Sequence, residues 1–223
     1  MEERAIDAVV FDYGGVLTTP VRHAMTGWLA EDGVTEDSYR AVMREWLVGE
    51  AAAGSPIHRL ETGELSPADF EATLAPRLVT TTGVPVVADG LLGRMFALMR
   101  PDPAMLALVT ALRSAGLRTA LLSNSWGDHY ADELLALFDV VVISGRVGLR
   151  KPDPAVFGLL LERLGLPAER VAFVDDIPAN IRAARELGIH AVQHTDTATT
   201  TAQLRRLVPD LPESGPGARD VTA

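Results

Sequence analysis

Seven positions in this 223-residue chain could do chemistry together: Asp12, Gly14, Ser123, Asn124, Lys151, Asp175 and Asp176. Asp12 closes the apolar run Ala8-Val9-Val10-Phe11 and is followed by Tyr13-Gly14-Gly15. Ser123-Asn124 closes Leu121-Leu122, and Asp175-Asp176 closes Val171-Ala172-Phe173-Val174. Lys151 follows a fourth apolar run, Val140 to Ser144, after a loop holding Gly145, Gly148 and Arg150. Carboxylates gathered in one place repel each other unless a cation lies between them. Oxygen donors without sulfur suit magnesium, which keeps several waters and leaves room for a substrate oxygen. Asp12, Asp175 and Asp176 with the Gly14 carbonyl are the candidate metal ligands, and Ser123, Asn124 and Lys151 the candidate anion binders. That set suits phosphoryl transfer, with metal and lysine spreading charge while a carboxylate attacks in line. Taken singly, each piece has an ordinary reading. Asp12, Ser123-Asn124 and Asp175-Asp176 could cap turns or helices, and Lys151 could be a solvated surface lysine. Their order at successive run ends argues for one shared site.

The elements that must position these residues can be read from the runs. Each is short, apolar and rich in β-branched residues, as a buried strand is. Between them lie helix-like segments. Pro101-Asp102-Pro103 opens one that ends near Gly116, and His129 to Phe138 is another. Pro152-Asp153-Pro154 starts a third ending at Gly165, and Pro178 to Leu187 stops at Gly188 before a last strand, Ile189 to Gln193. Alternating strands and helices imply a parallel α/β sheet with right-handed crossovers, a Rossmann-like core whose strands present their carboxyl ends along one edge. The stretch from Val21 to about Leu92 breaks the alternation. Val21–Ala30, Glu36–Val48 and the segment from Ser66-Pro67 to about Arg77 have helical spacing and no strand core. Residues 19–92 are therefore expected to form an inserted helical cap, 1–18 and 93–210 the α/β core, and 211–223 a flexible tail. The cap's aromatic and methionine positions read as its own core. Its polar residues His23, His58, Arg59 and Glu61 are candidates for substrate contact, though each reads more simply as an exposed side chain.

Composition narrows the classes. A chain that is 48% hydrophobic can bury a sizeable core without staples. It contains no cysteine, which excludes thiol catalysis, disulfides and zinc–thiolate sites and is compatible with a reducing cytoplasm. The expected location is cytoplasmic: Met1-Glu2-Glu3-Arg4 does not open a signal peptide, and no apolar run is long enough to span a membrane. A net charge of −10 argues against nucleic-acid binding and requires any anionic small substrate to find a local positive pocket. The chain is expected to act as a monomer or homodimer.

Four stretches carry a family resemblance: Val9-Val10-Phe11-Asp12-Tyr13-Gly14-Gly15-Val16-Leu17; Leu121-Leu122-Ser123-Asn124; Gly148-Leu149-Arg150-Lys151-Pro152-Asp153-Pro154; and Val171 through Asn180. With them the chain resembles the haloacid dehalogenase (HAD) superfamily of aspartate-nucleophile hydrolases. Within it, the chain is similar to subfamily IA-like members with a helical cap, to the phosphatase domain of soluble epoxide hydrolase and to bacterial sugar-phosphate phosphatases. The resemblance implies a magnesium-dependent phosphatase acting on a small phosphorylated metabolite. Asp12 would be the nucleophile and would form an aspartyl-phosphate. Ser123, Asn124 and Lys151 would bind the phosphoryl group. Asp12, the Gly14 carbonyl and Asp176 would hold Mg2+, with Asp175 close by.

One position departs from that pattern. Phosphatases of the family usually carry a second aspartate two residues after the nucleophile, which protonates the leaving group and later activates water, and here Gly14 stands there. General acid–base catalysis is worth about 10²–10⁴ in rate. Activity is then expected to be weak or narrow, directed to leaving groups that need no proton, such as anomeric, enol or acyl phosphates, unless Asp175 or a cap residue substitutes. Two other readings remain open. A 2-haloacid dehalogenase would use the same aspartate on carbon without metal; those enzymes usually carry tyrosine where Gly14 stands, and the Asp175-Asp176 pair favours metal. A noncatalytic protein could also use the fold to bind a phosphorylated ligand or a partner.

Overall fold

The computed structural model describes residues 4–47, 54–127 and 130–211. Five strands form one parallel sheet: β1 (Ala8–Phe11), β2 (Arg118–Ser123), β3 (Val140–Ile143), β4 (Val171–Asp175) and β5 (His190–Gln193). Their order across the sheet is β3-β2-β1-β4-β5. The chain steps outward from β1 through β2 to β3, then returns to the other side of β1 for β4. β1 is thus where the strand order reverses, the position at which open α/β sheets form a crevice beyond their carboxyl ends. Phe11 pairs with Leu121 on one side and Val174 on the other, so Asp12, Leu122-Ser123 and Asp175 emerge at nearly the same level.

Alternation along β1 sends its side chains to two cores. Val9 and Phe11 pack with Met105, Val109 and Leu112 of α6 (Pro103–Ser114) and Leu204 of α11 (Thr197–Leu207). Ala8 and Val10 pack with Val156, Phe157 and Leu160 of α9 (Pro154–Leu164) and Ala184 of α10 (Pro178–Glu186). Helices therefore cover both faces of a sheet whose strands are apolar on both sides, as a parallel sheet requires.

Between β1 and α6 lies a helical insert: α1 (Val21–Glu31), α2 (Glu36–Leu47), α3 (Pro56–Glu61), α4 (Pro67–Leu74) and α5 (Leu91–Phe96). It has its own apolar cluster, in which Trp28, Trp46, Ile57, Phe70, Leu74, Leu91 and Met95 are buried. The expected division at residues 92 and 93 passes through α5, whose Met95 is buried in the insert's cluster. The two crossings between insert and sheet domain run side by side. Thr19 N–H donates to the Arg100 carbonyl at 2.8 Å and Asp102 N–H to the Leu17 carbonyl at 2.8 Å.

Local chemistry explains the helix starts. In α3, α4, α6 and α9 a serine or aspartate, namely Ser55, Ser66, Asp102 or Asp153, accepts from a first-turn amide, and a proline follows at once. Several elements were not foreseen. α3 and α5 are each only six residues long, too short for a periodic signal. α11 contains Thr197, Thr199, Thr200 and Thr201, weak helix formers, yet Asp196 caps it and Leu204 is buried. The helix expected from His129 to Phe138 is a single turn, α7 (Asp132–Leu135), and His129 lies outside the described residues. Ser144, expected as a strand end, instead begins a one-turn helix, α8 (Ser144–Val147). All of the expected tail except Leu211 lies outside the described residues.

Candidate active site

The crevice at β1 gathers the charged residues. The main chain leaves β1 with Asp12 N–H still donating to the Val174 carbonyl at 2.9 Å, so the carboxylate is fixed by the sheet itself. A turn follows in which Leu17 N–H donates to the Tyr13 carbonyl and Gly15 N–H to Thr18 Oγ1. Gly15 has φ +79°, and a β-carbon there would stand 2.8 Å from Asp176 Oδ2. The backbone angle calls for glycine, and a side chain there would displace the Asp176 carboxylate. One carboxylate oxygen from each of Asp12, Asp175 and Asp176 lies within 4.8 Å of the other two.

Lys151 is 1% exposed and sits inside this group. Its Nζ is 2.7 Å from Asp12 Oδ1 and 2.7 Å from Asp175 Oδ2, and it lies 5.5 Å from the centre of the Phe173 ring. The sequence alone suggested an ammonium standing across from the carboxylates; the fold threads it between two of them. Burial would depress the lysine, but the carboxylates of Asp12 and Asp175 outweigh it and hold its pKa above the usual lysine value. Burial pushes Asp12 up to about 7; Lys151 pulls the other way, and the Asp175 charge adds to the rise. Asp176 is also raised, by burial first and then by Asp175. Three carboxylates with one ammonium between two of them leave an excess of negative charge, and hard oxygen donors so placed fit a divalent cation.

Asp175 has little left to offer. It is fully buried; Oδ2 accepts from Lys151 Nζ, Oδ1 accepts from Ile177 N–H at 2.7 Å, and Asn180 Nδ2 donates to both oxygens at 3.1 and 3.0 Å. Asn124 is similarly occupied. Its Nδ2 donates to the Lys151 carbonyl at 3.0 Å and its Oδ1 accepts from Lys151 N–H at 2.8 Å. The side chain thus stitches the loop after β2 to the loop that carries Lys151. Ser123 is buried, and its Oγ accepts from Tyr130 Oη at 2.8 Å, whose ring packs on that of Tyr13 at 4.9 Å. At Gly14, a β-carbon would meet, among the described residues, Val21 Cγ2 at 3.2 Å and Met99 Cε at 3.9 Å, both apolar.

Some participants were not picked out from the sequence. Asn180 holds Asp175, and Tyr130 holds Ser123; a polar Asn among Ile181 and Ala184 on the buried face of α10 was the available signal for the first. Glu61, read as exposed, is buried and accepts from Trp126 and Arg150 of the sheet domain. Charge alone had suggested a solvated side chain; the partners that make its burial tolerable lie far away in sequence.

Comparison with known proteins places this arrangement. The family described as haloacid dehalogenase-like hydrolase matches residues 6–188. The chain is 31% identical over 212 residues to mouse acyl-CoA dehydrogenase family member 10, covering 92% of this chain and 19% of that protein. It is 28% identical to pig bifunctional epoxide hydrolase 2, covering 91% and 39% respectively. The chain therefore spans well under half the length of either. It is 31% identical to phosphoglycolate phosphatase of Rhodospirillum rubrum, covering 83% of this chain and 78% of that enzyme. A HAD family enzyme of Bacteroides thetaiotaomicron, solved in complex with magnesium and inorganic phosphate, shares the fold with a TM-score of 0.63 at 21% identity, covering 85% of this chain and 94% of its own.

Proposed function

The chain belongs to the haloacid dehalogenase-like hydrolase family, and from that premise we propose that it is a magnesium-dependent phosphohydrolase of a small phosphorylated metabolite, with Asp12 as nucleophile. The observation that carries the reading is the convergence of Asp12, Asp175 and Asp176 at the sheet's reversal point with Lys151 buried among them. A relative that is a phosphoglycolate phosphatase, and a structural neighbour solved with magnesium and phosphate, support it.

On this reading Asp12 and Asp176 hold Mg2+, with the Gly14 carbonyl as a further donor, and Asp175 is kept for Lys151. When bound, the ion supplies charge neutralisation for the phosphoryl oxygens and for the gathered carboxylates. Lys151 pins one oxygen of Asp12, which fixes the plane of the carboxylate and leaves the other to attack phosphorus. Ser123 donates its hydroxyl to the phosphoryl group, since its oxygen already accepts from Tyr130. Asn124 acts through Lys151: both ends of its carboxamide are spent on that residue's main chain. The P–O bond to the leaving group breaks, and water then releases phosphate from Asp12. With Val21 and Met99 beside Gly14, the organic part of the substrate meets an apolar wall rather than an acid. Leaving groups that depart without a proton are favoured accordingly.

The test is a panel of phosphate esters, sugar-1-phosphates and acyl phosphates, assayed with magnesium and with chelator. Magnesium-dependent phosphate release is expected, with Asp12→Asn reducing it to background. Metal-independent chloride release from a 2-haloacid would replace this reading with dehalogenation. Silence across both panels would leave a ligand-binding protein.

A further inference from the structure

The loop that follows Ser123 and the loop that carries Lys151 both reach one carboxylate of the helical insert. Glu61, the last residue of α3, is 7% exposed. Its Oε1 accepts from Trp126 Nε1 at 2.8 Å, and its Oε2 accepts from Arg150 Nε. Trp126 lies three residues after Ser123, and Arg150 immediately precedes Lys151. The Trp126 ring stands edge-on to Phe70 at 5.5 Å and to Phe96 at 5.9 Å, both residues of the insert. The contact continues at Gly63, where φ is +76° and a β-carbon would lie 2.6 Å from the Gly145 carbonyl oxygen. A buried carboxylate with a charged donor on one oxygen and an indole N–H on the other is held by charge-assisted geometry. Because the donors come from different loops, a single carboxylate sets the distance between them.

We propose that Glu61 is a positioning residue: it seats the insert on the sheet domain and, through Trp126 and Arg150, sets Ser123 and Lys151 in register for the reaction. The reaction itself rests on the phosphohydrolase reading above, while the clasp rests on these contacts. Losing Glu61 leaves the Trp126 N–H without its acceptor and the Arg150 guanidinium without its carboxylate, both in a partly buried interface. The loops then relax, and small displacements of reacting groups are costly: about 1 Å can cost roughly 100-fold.

The experiment combines kinetics on the best substrate of the panel with hydrogen exchange. Glu61→Ala is expected to lower kcat about 10- to 100-fold with little change in KM. Glu61→Gln, which keeps an oxygen for Trp126, retains more activity than Glu61→Ala. Trp126→Phe keeps the ring, loses the N–H and falls by a smaller factor. The double variant Glu61→Ala/Trp126→Phe is no slower than Glu61→Ala, as for residues that act as a unit. In Glu61→Ala, exchange quickens at amides 123–126 and 145–151 while β4 stays protected. Additive losses in the double variant, unchanged exchange in the two loops, or a uniform rise across the protein would each overturn the proposal. If the wild type hydrolyses no phosphate compound, the phosphohydrolase reading fails, and the exchange pattern still decides whether the clasp exists.

Discussion

At the scale of single residues, Asp12 shows how much of a side chain's behaviour is imposed on it. A free aspartate titrates near 3.8; here burial lifts it to about 7 against the pull of Lys151, which Asp12 shares with Asp175. A carboxyl whose folded-state pKa exceeds its unfolded value favours the folded state when protonated. That contribution is fully present below about pH 3.8 and is lost as pH rises through about 7. In chelator, Asp12→Asn should therefore melt above the wild type at about pH 8 by a few °C, the gap closing toward about pH 4. Thermal denaturation across that range checks it, and a variant that melts below the wild type at the upper end would contradict the assigned cause. The same substitution removes the proposed nucleophile, so stability and activity should move in opposite directions.

Among the elements, the turn between β1 and α1 is tightly constrained. Gly15 has both a positive φ and the Asp176 carboxylate in the space a β-carbon would take. Gly15→Ala should strain the turn and push Asp176 aside. Magnesium affinity measured by calorimetry should fall at least about tenfold, while the far-ultraviolet dichroism of the sheet and helices is retained. An unchanged affinity would mean that Asp176 does not hold the ion. At Gly14 the space is tight but apolar, with Val21 of α1 at 3.2 Å from a notional β-carbon. Helix starts follow a simpler rule. Serine or aspartate followed by proline opens α3, α4, α6 and α9, and a local hydrogen bond suffices to explain each.

For the whole molecule, each face of the sheet carries an apolar cluster and the insert has its own, and Trp126 and Glu61 are among the groups that join the insert to the sheet domain. Trp28 is fully buried in the insert's cluster and donates its indole N–H to Asp32 at 3.0 Å. Trp28→Ala should cost about 3–5 kcal/mol, the usual toll for a large core aromatic. Because the clusters are separate, hydrogen exchange should quicken over the described parts of residues 21–99 and leave β1 and β4 protected. Equal loss in the sheet would show that the two parts unfold as one. No helix among the described residues is long and apolar enough to cross a membrane.

Local signals sufficed for the parallel strands, the carboxylates at their ends and the longer helices α1, α2, α4, α6, α9 and α10. Each depends on neighbours in sequence: a β-branched run that stops at an acid, a capping residue before a proline, a glycine after a helix. The roles within the site depended on the fold. Lys151 lies between Asp12 and Asp175 because the segment between α8 and α9 meets the carboxyl ends of β1 and β4. Asn124 faces the main chain of residue 151 because two loops 27 positions apart are brought together. Glu61 is buried because Trp126 and Arg150, 65 and 89 positions away, arrive to satisfy it. A charged side chain carries no mark of whether it will be solvated or paired. That outcome turns on which distant donors the packing delivers, and only the tertiary structure decides it.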